Sequence, residues 1–486
     1  MKRTAPWSPG PPFFAANPAA GALSLLAAAL LILSPAAASA GERVITLATD
    51  FQSAGSLAAT ETAPPWETDA DLTLVHSDCT ARVHGGLIYV VNKLGADNVQ
   101  VVDPAADFAT LIQFSVGAGT NPQDIAVVTP ERAYVSRYET NDLLEVDPQT
   151  GEHLGTVSLA DFADADGLCE MHRMHIDGGF LYIQIQRMLR QDWPDPWIPA
   201  PPSLLAVLDL DHGELVDVDP DEPGIQGIAL QGLNPVAPMQ VEPETGDLLV
   251  PEAGQYAVID AGGVERVDLD AWESNGFSIT ETQLGGDVVD FAPWSPSKAF
   301  ALISDAEFNT KVLAYDPAGG GTLDTVYDPG GYVLVDLLPA SSGYLFVGDR
   351  DFVNPGLRVF DCETHDLLAG PISTGPPPFE LILLPDGVSD APGFPSVQQL
   401  GLPYPNPATV GVRLRWNADH APRKCEVFDA AGRSVRTWRG ASGMAGGELF
   451  WDGRDAGGRS VAAGLYLIRV TLRDGAELTR RVHMIR

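Results

Sequence analysis

The chain has 486 residues, with 65 acidic against 29 basic side chains and a formal net charge of −36. So acidic a molecule repels phosphate backbones, which excludes nucleic acid as a partner, and its length exceeds that of one ordinary domain. The charge is uneven: residues 41–399 hold 57 acids and 13 bases, whereas residues 400–486 hold 8 and 14. Cations, basic proteins, plain solubility or adaptation to salt would each account for the acidic part.

The N-terminus reads as an export signal, residues 1–40. Lys2 and Arg3 precede an apolar run, Ala19 to Leu33, and Ala38-Ser39-Ala40 supplies small residues for cleavage after Ala40. The run is shorter than the ~20 apolar residues a spanning helix needs. No Cys follows the cleavage point at once, and no other stretch of the mature chain is expected to be a transmembrane anchor.

Residues 41–388 repeat themselves. Short β-rich segments begin at Ile45, Ile88, Ala133, Leu181, Leu248, Ala301 and Leu345, 43 to 67 residues apart. After most of them a polar turn leads to a further strand that ends in Asp103, Asp147, Asp209, Asp260, Asp316 or Asp361. Units of this length with strand periodicity and no helical periodicity predict small sheets that bury their faces against one another around an axis. The pattern Tyr-Val-x-Asn/Arg, then Val-x-Val-x-Asp-Pro-x-Thr-Gly, resembles the YVTN-type seven-bladed β-propellers. The expected fold is therefore all-β, a seven-bladed β-propeller followed by a small Ig-like β-sandwich, with six and eight blades as the neighbouring counts. Ile45 lacks a preceding inner strand and Phe379–Leu384 lacks following outer strands, so the two chain ends are expected to share one blade.

The innermost strands should carry Asp124, Asp290, Asp336 and Glu380 to the central channel. Two roles are open to these acids. They can offer oxygen ligands to Ca2+ or Mg2+, or they can cap backbone N–H groups at the strand mouths. His172 and His175 sit on the inner strand of the third unit. Strand alternation would turn them to opposite faces, which disfavours a shared metal. Asp161, Asp164, Asp166, Gly167 and Glu170 miss the EF-hand spacing at Phe162. An insertion, Arg187 to Ser203, carries Trp193 and Trp197 among prolines. It is either a lid or binding loop presenting flat apolar surface, or a loop folded back on the barrel. There is no Gly-x-Ser-x-Gly, Walker or His-Glu-x-x-His motif, so no catalytic residue is assigned. The four cysteines, Cys79, Cys169, Cys362 and Cys425, match no zinc spacing and leave one or two disulfides, or none, open.

A linker rich in Pro, Gly and Asp, residues 389–399, leads to residues 400–486. That segment carries Tyr404-Pro405-Asn406-Pro407, a turn at Gly432, Trp451-Asp452-Gly453, and Gly464 with Tyr466, among short strands separated by turn residues. It resembles the C-terminal sorting domain of the type IX (Por) secretion system and the Ig-like domain of hook-capping proteins. The resemblance implies secretion machinery as a partner. It also implies an extracellular or outer-surface location on a Gram-negative-type bacterium. The function expected for the whole is a non-enzymatic binding or scaffold propeller contacting an unknown ligand or envelope protein. The alternative is a metal-dependent hydrolase, lactonase or lyase using the channel acids.

Overall fold

A computed structural model describes residues 41–52, 54–190, 197–242, 245–385, 408–415, 424–429, 432–439, 448–471 and 477–485. The segment expected to be the linker lies outside the described residues.

Among the described residues, seven antiparallel sheets, five of four strands and two of five, form the blades of the propeller. Their inner strands are Cys79–His84, Pro122–Thr129, Met171–Asp177, Gln240–Val241, Asp287–Ser295, Leu334–Pro339 and Pro378–Leu384. In the seventh blade that last inner strand pairs antiparallel with Arg43–Thr49, which in turn pairs with Gly55–Glu61. The two ends of the propeller chain thus share one sheet, and no blade edge is left open at the junction.

Burial follows position within the blade. The second strand Leu87–Asn92 is buried at all but its first residue, while the outermost strand Glu152–Ser158 is almost wholly exposed. Period two explains how a fully buried strand serves two neighbours. Ile88 and Val90 pack with Ile45, Leu47 and Leu57 of the seventh blade, whereas Tyr89 and Val91 pack with Ile125, Val127 and Val135 of the second. Each such side chain contributes roughly 1.5–3 kcal/mol on burial, so the wheel is held by contacts between blades.

The recurring aspartates have a single job. At the end of the third strand, Asp103, Asp147, Asp209, Asp268, Asp316 and Asp361 each accept a bond from the backbone amide two residues on, at 2.8–3.0 Å. These Asx turns reverse the chain. One predicted strand is corrected here. Ala257–Asp260 is a turn, with Ala257 at φ +64, and the third strand of the fourth blade is Gly263–Asp268, ending in Asp268.

Residues 408–485 supply a second all-β unit. Val412–Arg415 pairs with Glu448–Trp451, and Ser434–Arg439, Lys424–Asp429, Gly464–Thr471 and Glu477–Met484 form a four-stranded sheet. Trp451, Tyr466, Val427 and Ile468 lie at the core of this sandwich. All four cysteines are buried free thiols; burial raises their pKa values, to about 12 for Cys169, Cys362 and Cys425. Among the described residues, no helix is long and apolar enough to cross a membrane.

Candidate functional site

The four predicted channel acids do converge, and each ties its own blade to the next. Asp124 on the second blade accepts the Met174 amide of the third at 2.8 Å. Asp290 on the fifth accepts the Leu337 amide of the sixth at 3.2 Å, and Asp336 accepts the Leu381 amide of the seventh. Glu380 on the seventh accepts from the Thr80 hydroxyl at 2.6 Å and the Ala81 amide of the first at 3.4 Å. Among the described residues, inner strands of different blades share no ladder. The carboxylates supply the acceptors that a ladder would, so the capping role is filled.

Two arginines take up the remaining charge. Arg82 binds Asp124 through two bonds of 2.7 and 2.6 Å. Arg173, from the third blade, reaches the Thr80 hydroxyl and meets Glu380 at 3.0 Å. It is only 8% exposed, so it closes this half of the channel as an internal counter-ion. Burial works against ionisation of Asp124 and Glu380. Arg82 outweighs it for Asp124, Arg173 and Lys93 outweigh it for Glu380, and both pKa values fall below the usual range. The other half behaves oppositely. Burial and the neighbouring Asp290 push Asp336 well above the carboxylate range, and burial raises Asp290.

Arginines occupy Asp124 and Glu380, two of the four acids expected to ligate a divalent ion. Among the described residues, no three His, Cys, Asp or Glu side chains are arranged to hold a metal. His172 lies within a register shift between Met171 and Met174, which interrupts the expected alternation, and His175 follows it opposite Tyr182. Burial lowers both of their pKa values, that of His172 strongly, and Arg82 acts on both in the same direction.

A cavity of about 650 Å3 runs along the inner strands of the first, fourth, fifth, sixth and seventh blades. Part of its lining lies at the upper face, where the inner strands begin. Tyr332, Arg350, Phe379 and Lys93 lie at this end. Loops of the same face expose Leu94, Tyr256, Phe308 and Phe352 at 64, 57, 53 and 97%.

The insertion also stands on the upper face. It forms a hairpin, Met188–Arg190 with Trp197–Pro199. Its base is fastened by the Met188 amide to Glu170 at 3.1 Å and by Arg190 to Glu139 at 2.7 Å. Burial, then Asp166 and Asp164, raise Glu170 to about 7. Trp193 lies outside the described residues, and Trp197 is placed only as a strand residue.

A second acidic cluster escaped the sequence reading. Glu252, Glu265 and Glu281 are all fully buried. The carboxylate oxygens of Glu252 and Glu281 find no partner of hydrogen-bonding geometry. Burial and Glu265 raise Glu252 well above normal; burial and Asp287 raise Glu281 to about 8. The packing is close: a Cβ on Gly262 would lie 2.5 Å from one Glu281 oxygen.

The structure brings together the described part of the sorting pattern. Trp451 donates its indole N–H to the Arg454 carbonyl at 2.9 Å and meets Tyr466 edge to face at 5.3 Å. The Tyr466 hydroxyl donates to the Ala462 carbonyl at 2.9 Å, Asp452 accepts from Arg436 at 3.0 Å, and Gly432 and Gly453 adopt φ +76 and +64. Gly464 opens the strand that carries Tyr466. These residues build the sandwich core and its turns. Tyr404, Pro405, Asn406, Pro407 and Ala40 lie outside the described residues.

No family model matches the chain, and no curated protein does. Solved structures of similar fold include PorZ of Porphyromonas gingivalis, described as an essential bacterial surface component of the type-IX secretion system. It is 15% identical, with a TM-score of 0.41 over 88% of this chain and 63% of its own length. The present chain therefore spans less than two thirds of PorZ. Apo AztD from Citrobacter koseri is 12% identical, with a TM-score of 0.44 over 71% of this chain and 98% of its own. The Kuenenia stuttgartiensis hydrazine synthase is 14% identical, with a TM-score of 0.42 over 61% and 85%.

Arg173 and Arg350 were missed in the sequence. Aligning the inner strands would have exposed the first, because Arg173 precedes the Met174 amide as Asp336 precedes Leu337 and Glu380 precedes Leu381. Nothing local marks Arg350.

Proposed function

We propose that this chain is an exported, non-enzymatic binding propeller, surface-attached or released, delivered by a C-terminal sorting domain. In this reading residues 1–40 are removed, residues 41–388 form the binding wheel, 389–399 link it, and 400–486 engage the secretion machinery of a Gram-negative-type envelope. The observation that carries the binding role is the division of the channel. Arg82 and Arg173 engage two acids that metal chemistry would need, while the mouth above keeps an open cavity rimmed with exposed aromatic side chains. A metal-dependent hydrolase, lactonase or lyase would require those acids free for an ion.

Two measurements test the proposal. Cell fractionation should find the full chain outside the outer membrane, and a chain ending at residue 399 should be retained. The mature protein, given Ca2+ or Mg2+ and a panel of lactones, esters and glycosides, should turn over none of them. Surface delivery without residues 400–486 would overturn the sorting role, and metal-dependent turnover lost in Asp336→Asn would overturn the non-enzymatic one.

A further inference from the structure

We propose that the upper mouth of the channel binds a small organic monocarboxylate with a flat apolar body, its carboxylate held by Arg350. The inference rests on the reading of the upper face as the binding face and names the ligand class that the face accepts.

Four arginines of the wheel, Arg43, Arg137, Arg187 and Arg350, pair with no carboxylate among the described residues, and of these Arg350 alone lines the channel cavity. Arg82, Arg132, Arg173, Arg190, Arg266 and Arg358 each pair with a carboxylate within 3.3 Å. The guanidinium of Arg350 makes no hydrogen bond and no ion pair among the described residues, in a segment holding 57 acids. It is fixed instead by two aromatic faces. Its Cζ lies 5.2 Å from the Phe51 ring centroid and 4.9 Å from that of Tyr332. Stacking of this kind orients the planar fork while leaving its N–H edge available, and that fork matches the two oxygens of a carboxylate.

The surroundings are built to hold this posture. Phe51 adopts φ +56, a left-handed conformation that a bulky side chain rarely takes. Asp50 holds the turn by accepting the Gln52 and Ala54 amides at 2.8 and 3.0 Å. Phe379 meets Phe51 edge to face at 6.2 Å. Phe51 and Tyr332 nonetheless remain 48 and 53% exposed. Strain and exposure together, around a cation with no polar partner, are what a preorganised ligand clamp requires.

Arg350 and Lys93 both line the 650 Å3 cavity, and its walls include Val236, Pro238, Met239 and Leu334. That volume falls in the range of small-molecule sites, which combine apolar walls with few fixed polar groups. The charge of the ligand is limited by the wheel itself. A single negative charge satisfies Arg350, whereas a phosphate dianion would face the repulsion of the whole acidic body.

The experiment is isothermal titration of the mature full-length protein with 1-naphthoate, 1-naphthylmethanol and inorganic phosphate. Naphthoate should bind, and the neutral alcohol should bind about 10- to 100-fold more weakly, as expected for loss of a charge-assisted pair. Arg350→Met should lose naphthoate affinity by a similar factor, with a wild-type circular dichroism spectrum because no hydrogen bond is removed. Arg350→Lys, a second variant that keeps the charge, should fall between the two. Phosphate should not displace naphthoate. Absence of naphthoate binding, unchanged affinity in Arg350→Met, or displacement by phosphate at equal concentration would each overturn the assignment. An envelope protein recovered on the wild-type upper face and not displaced by naphthoate would also overturn it, while leaving the binding role of the propeller intact.

Discussion

Replacing Glu281 with glutamine should stabilise the protein at neutral and alkaline pH and flatten its pH dependence. Glu281 opens a short helix capped by Thr280, and its carboxyl is buried against Gly254 and Gly262 with Asp287 as a charged neighbour. Burial raises its pKa to about 8, so the folded protein keeps the proton that the unfolded chain releases above the ordinary value of 4.5. The folded state then binds more protons than the unfolded one, and stability falls as pH rises from about 4.5 to 8. Integrated to pH 7, a shift of this size removes about 3 kcal/mol relative to acid conditions. Glutamine reproduces the protonated form: its carbonyl can face the Ala261, Gly262 and Val288 amides while its NH2 faces Asp287. Thermal unfolding from pH 5 to 9 should therefore show Glu281→Gln overtaking wild type as the pH rises. A variant equal to or less stable than wild type at pH 8 would refute the reasoning.

Other consequences can be measured. Arg173→Met leaves Glu380 buried without its partner and should cost about 3–5 kcal/mol in urea unfolding, with part recovered in Arg173→Met combined with Glu380→Gln. Trp451→Ala removes the largest core side chain of the small sandwich and should cost about 3–5 kcal/mol, read as a lowered transition in calorimetry of the full chain. Glu170→Gln should abolish any change in proteolysis of the 188–199 hairpin between pH 6 and pH 8, because ionisation of Glu170 near pH 7 alters its hold on the Met188 amide.

The wheel was legible because its repeat is written in residues with local meaning. Second strands such as Leu87–Asn92 are apolar along their length, and the aspartates after the third strands announce their turns. The fourth blade was misread at Ala257–Asp260, since Gly263–Asp268 buries Glu265 and accommodates it with the Gln231 and Gly232 amides, a partnership invisible in linear order. The channel acids were legible as a set. Their occupation was not, because Arg173 reaches Glu380 from the opposite part of the chain. The mouth was least legible of all: Phe51, Tyr332 and Arg350 belong to two blades and meet only after the wheel is closed.

That closure bears on how the molecule is made. Of the wheel's strands, synthesis delivers Arg43–Thr49 first and Pro378–Leu384 last, yet each is the other's neighbour in the finished sheet. Until the final strand emerges, the earliest strand has one unsatisfied side and the growing arc has an unclosed gap. A nascent chain in this state is an open arc, which the arrival of Pro378–Leu384 closes.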